Sequence, residues 1–252
     1  MEDNINFFSW NEYSVEFNCK SKFDDRLIHT GLGLPGIDAK KIIKPSSTVL
    51  DVGCGNGVNT NIIANATSNE VIGIDVAEHS IRVAQRKYKR DNLHFYCTDF
   101  YSFSSENDQK FDTVTFWGSL DYIELTSQFF TSLTKITKNK SQCIISKFHP
   151  FWTTLFNNDI EEEKLSSYFD NGREDYVKYG GREKCTFIRY HYNISCLLNL
   201  FNQNGWCINT ISEPEPDFRT SSFQYSGYDT DELLKSRLNR IPMTLIIFFE
   251  RR

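Results

Sequence analysis

The stretch Val49-Leu50-Asp51-Val52-Gly53-Cys54-Gly55-Asn56-Gly57 decides the reading of this chain. A short apolar run suited to a buried strand enters a turn with glycine at every second position, and a helical pattern follows over Asn59 to Ala66. Glycines at 53, 55 and 57 permit positive φ and let the backbone approach a ligand closely. The first-turn amides of the next helix supply hydrogen-bond donors beside them. A pyrophosphate-binding turn would have the spacing Gly-x-Gly-x-x-Gly, and Val58 occupies the place of its third glycine. That argues against a dinucleotide.

Working outward, short apolar runs alternate with amphipathic stretches. The runs are Thr48 to Val52, Val71 to Asp75, Leu93 to Cys97, Phe111 to Phe116 and Gln142 to Ser146. Between them Ser80 to Lys89 and Ser127 to Thr137 carry apolar residues at helical spacing, such as Ile81, Ala84 and Tyr88. This alternation predicts βαβ units and a parallel sheet. After His149-Pro150 the repeat breaks for about forty residues, which reads as an insertion over the carboxyl edge of the sheet. It resumes with a helix at Ile194 to Phe201, strands at Trp206 to Ser212 and Met243 to Glu250, and a short helix near Asp231 to Leu238. The expected fold is α/β, a doubly wound, mostly parallel seven-stranded sheet in one domain. Residues 1–45 form a helical cap, 46–147 the cofactor-binding core, 148–190 a lid and 191–252 the rest of the sheet.

Two acids stand at strand ends on the edge that carries the glycine turn. Asp75 closes the second run, where a carboxylate can accept both hydrogen bonds of a ribose diol. Its plainer role is a helix N-cap. Asp99 closes the third run in Cys97-Thr98-Asp99-Phe100, placed to accept from an adenine amino group while Phe100 covers the ring. Either acid could be an ordinary loop residue, but three such strand ends together make coincidence a poor explanation.

On these residues the chain resembles the class I S-adenosylmethionine-dependent methyltransferases, over nearly everything after residue 45. The glycine turn is similar to their first motif, and Asp75 and Asp99 to their ribose and adenine acids. Phe111-Asp112-Thr113-Val114 with Trp117-Gly118-Ser119-Leu120-Asp121-Tyr122-Ile123 is similar to their fourth strand and the stretch after it. Ser146-Lys147-Phe148-His149-Pro150, Tyr168-Phe169-Asp170-Asn171-Gly172-Arg173 and Arg189-Tyr190-His191 resemble a bacterial group of small-molecule methyltransferases, as does Glu213-Pro214-Glu215-Pro216. The chain departs from the family pattern at Ala77, Ser80 and Asp121, where serine, methionine and histidine are common. The resemblance implies a seven-stranded sheet with its last strand antiparallel, and S-adenosylmethionine as cofactor. The cofactor contacts it implies are Asp51, Gly53, Gly55, Gly57, Asp75, Val76, Asp99, Phe100 and Trp117.

Methyl transfer from a sulfonium is an in-line displacement, so positioning should outweigh acid-base help. Trp117, Tyr122 or Trp152 could face the cation, although Trp152 is more simply lid packing. The candidate catalytic residues are His149 after the fifth strand, His191 where the lid rejoins the sheet, and Tyr122 beside Asp121. Each histidine could equally hold a turn or cap a helix, and Tyr122 could be a pocket wall.

Composition narrows the partners. With 28 Lys+Arg against 33 Asp+Glu the net charge is -5, without a basic patch for a polyanion, which argues against nucleic acid. No Asn- or Asp-Pro-Pro-Tyr follows the fourth strand, which disfavours the branches that methylate nucleic-acid amino groups and glutamine. No apolar run reaches membrane-span length, and Met1 to Trp10 lacks the features of a signal peptide, so the expected location is the cytosol with no membrane partner. The seven cysteines lack metal-site spacing and read as reduced thiols. No acidic cluster supports a metal. The expected activity is methylation of a small molecule at nitrogen or oxygen. The alternatives are a non-catalytic cofactor-binding protein and a methyltransferase acting on RNA or protein.

Overall fold

The computed structural model describes residues 5–20, 26–31, 36–155, 167–180, 183–215, 232, 235–236 and 239–252. After helix α1 (Ile5–Lys20) the chain alternates β1 (Val49–Val52), α2 (Val58–Ala64), β2 (Val71–Asp75), α3 (Glu78–Lys87), β3 (Leu93–Cys97), α4 (Phe100–Glu106), β4 (Phe111–Trp117), α5 (Ser127–Lys135) and β5 (Thr137–Phe148). Helix α6 (Pro150–Leu155), a hairpin of β6 (Gly172–Gly180) and β7 (Glu183–His191), α7 (Ile194–Gln203), β8 (Trp206–Ser212) and β9 (Thr244–Arg251) complete it. The helix expected near Asp231 to Leu238 falls mostly outside the described residues.

Seven strands form one sheet in the order β3-β2-β1-β4-β5-β9-β8. The pairings among the first five are parallel, and β9 runs antiparallel to both neighbours. This is the doubly wound, mostly parallel sheet that the sequence predicts. All four residues of β1 are buried, as a central strand covered by helices on both faces requires. On one face Phe111, Phe116, Phe129, Phe201, Trp206 and Phe249 form the larger core, with Phe201 and Phe249 stacked at 4.2 Å. On the other, Val49, Ile62, Ile63, Ile81, Ala84 and Phe95 pack α2 and α3 against the strands. Helix starts are fixed by side-chain caps. Asp99 caps α4, Thr126 caps α5 and Asn193 caps α7.

Within the stretch expected to be a lid, the structure has α6 and a regular antiparallel hairpin, while residues 156–166 lie outside the described set. The hairpin forms a sheet of its own and packs on α1. Asn6 makes two hydrogen bonds with the backbone of Ile188, and Ser9 donates to the Thr186 carbonyl. Helix α1 and the hairpin meet the turns that follow β2 and β4, Asn11 at Glu78 and Tyr176 at Tyr122. No helix among the described residues is long and apolar enough to cross a membrane.

Candidate cofactor and acceptor site

The glycine turn is pinned to the end of β2. The amides of Gly53 and Cys54 both donate to the Ile74 carbonyl, and the Gly55 amide donates to Asp75 Oδ2 at 2.8 Å. Gly55 and Gly57 both hold left-handed backbone, φ +54 and +78, but their surroundings differ. A Cβ on Gly57 would come within 2.7 Å of the Phe95 ring and 2.8 Å of Ala84, so this glycine lets α2 and α3 close on β3. A Cβ on Gly55 would meet nothing within 4 Å. That open face is where a ligand can lie against bare backbone.

Asp75 accepts from Gly55 and, through Oδ1, from the Ala77 amide at 2.8 Å. Burial raises its pKa, with these amides opposing. The Val76 amide also bears on this carboxylate, so of about four lone-pair directions at least one remains for a ribose hydroxyl. Asp51 lies one layer deeper. Its oxygens accept from the Thr60 and Thr115 hydroxyls at 2.7 and 2.8 Å, and burial pushes its pKa up to about 6. It braces β1 against α2 and β4 from behind the turn. Asp99 Oδ1 takes the Tyr101 and Ser102 amides, and Oδ2 takes the Ser102 hydroxyl at 2.5 Å. Asp99 is thus the N-cap of α4, whereas the N-cap of α3, two residues past Asp75, is Ala77. Phe100, expected over the adenine ring, is buried at 4% exposure. As the first residue of α4 it packs in the core, 5.5 Å from Phe129 and 6.0 Å from Phe116. Val76, half-buried, follows Asp75 on the same edge, and its carbonyl faces the Cys97 thiol.

Trp117 ends β4 beside Ser146 of β5, and its indole Nε1 is buried without a hydrogen-bond partner among the described residues. The Thr30 hydroxyl is in the same condition, and the Thr30 carbonyl accepts from the Ser146 hydroxyl. The segment that carries Thr30 is anchored on α2, where the Asn59 side chain bonds both the amide and the carbonyl of His29. Sequence reasoning missed Thr30 because nothing in residues 26–31 marks it as near β5.

The acceptor-side candidates separate. Both ring nitrogens of buried His149 are engaged, Nε2 with Glu213 at 2.7 Å and Nδ1 with the Phe151 amide at 3.1 Å. Burial lowers its pKa despite Glu213. His191 is held by the Thr153 hydroxyl at 3.2 Å and the Tyr168 carbonyl at 3.4 Å, and burial lowers its pKa too. Both histidines, expected as candidate bases or as turn and cap residues, thus have both ring nitrogens engaged within the protein. The Tyr122 hydroxyl pairs with that of Tyr176 at 2.5 Å, Trp10 packs edge-on at 5.0 Å, and burial pushes the phenol up to about 12. Tyr122 thus ties the turn after β4 to the hairpin, and Trp152 is likewise buried, in α6. Two ion pairs that the sequence did not single out lie beside it. Lys147 meets Asp121 at 2.7 Å, and Arg189, over the Tyr176 ring, meets Glu174 at 2.8 Å. Only the partners' spatial meeting marks them.

This sheet order, with a glycine turn after β1 and an acid ending β2, defines the Rossmann-like fold of S-adenosylmethionine-dependent methyltransferases. A family model for a methyltransferase domain matches residues 43–185, more than half the chain, and the chain belongs to that family. A structure of an S-adenosylmethionine-dependent methyltransferase from Listeria monocytogenes superposes with TM-score 0.66 at 23% identity, covering 85% of this chain and 96% of that one. Geranyl diphosphate C-methyltransferase from Streptomyces coelicolor superposes with TM-score 0.63 at 12% identity, over 98% and 97%. Among curated proteins, the ubiquinone biosynthesis O-methyltransferase of Dictyostelium discoideum is 25% identical over 154 residues, 49% of this chain and 48% of that protein. The chain spans about half the length of the curated relatives it matches.

Proposed function

We propose that this chain uses S-adenosylmethionine to methylate nitrogen or oxygen of a small molecule. The residues present fit the cofactor. The open face at Gly55 and the unpartnered Trp117 and Thr30 donors are features that no protein group fills among the described residues, and Asp75 beside them keeps accepting capacity. Asp75 would hold the ribose, Asp99 and the start of α4 the adenine side, and Trp117 with Thr30 the amino-acid end. Asp51 would act through the turn it braces. When bound, the cofactor supplies an electrophilic methyl group on a sulfonium.

The observation that carries the acceptor class is the roof. Helix α1 and the hairpin are joined to each other through Asn6 and Ser9, and they meet the edge at the Tyr122–Tyr176 pair and at the bond from the Glu78 amide to the Asn11 side chain. A roofed edge suits a small acceptor and excludes water, and holding two reactants there lowers the barrier by about 7 to 11 kcal/mol in favourable cases. The net charge of -5 points the same way, away from nucleic acid. The O-methyltransferase relative adds a small-molecule precedent.

Calorimetry tests the cofactor half. Asp75→Ala should weaken S-adenosylmethionine binding at least tenfold, about 1.4 kcal/mol, since hydrogen bonds to a charged group contribute roughly 1.5 to 3 kcal/mol. Unchanged affinity rejects the ribose assignment. The acceptor half is tested by release of S-adenosylhomocysteine with a metabolite panel, and tight cofactor binding with no release from any metabolite rejects it.

A further inference from the structure

Side chains alternate along β5, and Cys143 and Ile145 point into the larger core. Lys147 is next on that face, and its side chain is only 4% exposed. An apolar residue would simply extend the core here. An ammonium needs a counter-charge, and such a pair returns little net stability after desolvation, so a stability role explains it poorly. Asp121, 7% exposed, supplies the counter-charge at 2.7 Å from the turn after β4.

The pair has unused hydrogen-bonding capacity. Lys147 Nζ has three N–H donors, and two go to Asp121 and to the Phe148 carbonyl at 3.2 Å. Asp121 Oδ2 takes only a 3.3 Å bond from the Phe148 amide. Among the described residues, nothing takes the third N–H or the remaining lone pairs of Asp121. A buried donor beside a buried acceptor is complementary to a hydroxyl, which accepts from one and donates to the other. The pair also stands near the cofactor turn. Ser119, two residues before Asp121, donates to the Val52 carbonyl at the entry to that turn.

We propose that Asp121 and Lys147 bind and deprotonate an acidic hydroxyl, phenolic or enolic, which makes oxygen the atom methylated. This rests on the small-molecule reading above and chooses between its two reacting atoms. The hydroxyl proton passes to the Asp121 carboxylate. The oxygen lone pair forms the C–O bond, and the electron pair of the breaking C–S bond stays on sulfur, leaving a neutral thioether. Lys147 stabilises negative charge on the oxygen as its proton leaves. An amine would instead gain positive charge against the ammonium. Phenols, with pKa roughly 10, lie within reach of such a pair, whereas alkyl alcohols are too weakly acidic. The charged and titratable groups facing the pair are Tyr122 on its own turn, Tyr176, Arg189 and His191 of the hairpin, and His149 after β5.

The test uses the full chain, methyl-labelled S-adenosylmethionine, a panel of matched phenol–aniline and enol–enamine pairs, and a deproteinised metabolite extract, with products located by mass spectrometry. Label on oxygen in the wild type, reduced at least a hundredfold in the apolar double variant Asp121→Leu/Lys147→Met, is the expected result. The variant should keep the wild-type melting temperature and S-adenosylhomocysteine affinity. Label on nitrogen, or a double variant as active as wild type, overturns this proposal and leaves small-molecule methylation standing. No label anywhere overturns both. A second readout needs no turnover. With S-adenosylhomocysteine present, 4-nitrophenol should bind at least tenfold more tightly than 4-nitroaniline, and Lys147→Met should abolish the difference. Equal affinities, or no binding of either, count against the pair.

Discussion

Gly55 and Gly57 differ by two positions and share a left-handed backbone, yet the structure gives their alanine variants opposite signatures. Gly55→Ala should cost about 1 to 2 kcal/mol of stability, the strain of a Cβ at positive φ, because the added carbon meets no protein atom within 4 Å. Gly57→Ala carries the same strain and also drives its Cβ to 2.7 Å from Phe95 and 2.8 Å from Ala84. Overpacking of that kind adds about 1 to 3 kcal/mol. Urea unfolding should therefore place Gly57→Ala clearly below Gly55→Ala. Calorimetry with S-adenosylhomocysteine should show a strong effect in the more stable variant. In Gly55→Ala the new methyl occupies the face offered to the ligand, and affinity should fall at least tenfold, about 1.4 kcal/mol. If Gly55→Ala binds within twofold of wild type, the open face is not where the cofactor lies. If the two variants are equally stable, the packing account of Gly57 is wrong.

Asp51 predicts a pH dependence of stability. Its carboxyl is raised from 3.8 to about 6, so the folded state holds the proton more tightly than the unfolded chain. That contribution is complete below about pH 4 and is lost as pH rises through 6, by at most about 3 kcal/mol. Asp51→Asn should flatten part of this decline in urea titrations, Asp75 keeping the remainder, and an unaltered slope would rule Asp51 out as its source. For the hairpin, Tyr122→Phe should cost about 1 kcal/mol by removing its hydrogen bond to Tyr176, and adding Tyr176→Phe should cost less than that substitution does alone. A double variant no better than the sum of the singles would show that the hydroxyls do not act as a pair.

The strands and the cofactor turn were legible because local chemistry sets them. The runs for β2 and β3 match the structure residue for residue, and glycine spacing alone marks the turn. β5 extends well before Gln142 because its first residues, Lys138 to Lys140, are polar and exposed and carry no core signal. Helix α4 was hidden behind the reading of Asp99 as a ligand acid, although the same residue caps α4 and turns Phe100 inward. The hairpin was hidden by its charges. Yet Gly180-Gly181 between two runs was a hairpin signal, and the inward Tyr176, Cys185 and Phe187 form its core. The acceptor side was least legible. Whether a histidine there is a base or a strut depends on Glu213, Thr153 and Tyr168, partners that only the fold brings close.

Helix α1 gives the site a further physical property, because one element contacts both halves. Asn11 Oδ1 accepts from the Glu78 amide at 2.8 Å, three residues past Asp75, on the side proposed for the cofactor. Trp10, the preceding residue, packs on Tyr122 beside Asp121 and on Phe187 of the hairpin at 4.8 Å. The aromatic cluster that seats α1 thus also fixes the turn that presents Asp121, and the roof cannot lift without loosening it. On the proposed function, water exclusion and alignment of the two half-sites would then depend on one packing event. Alignment matters most for in-line transfer, since misplacement by about 1 Å can cost a hundredfold in rate. Aromatic residues at Trp10, Tyr122, Tyr176 and Phe187 suit that task better than flexible side chains, because they bury large rigid area with few torsions to hold.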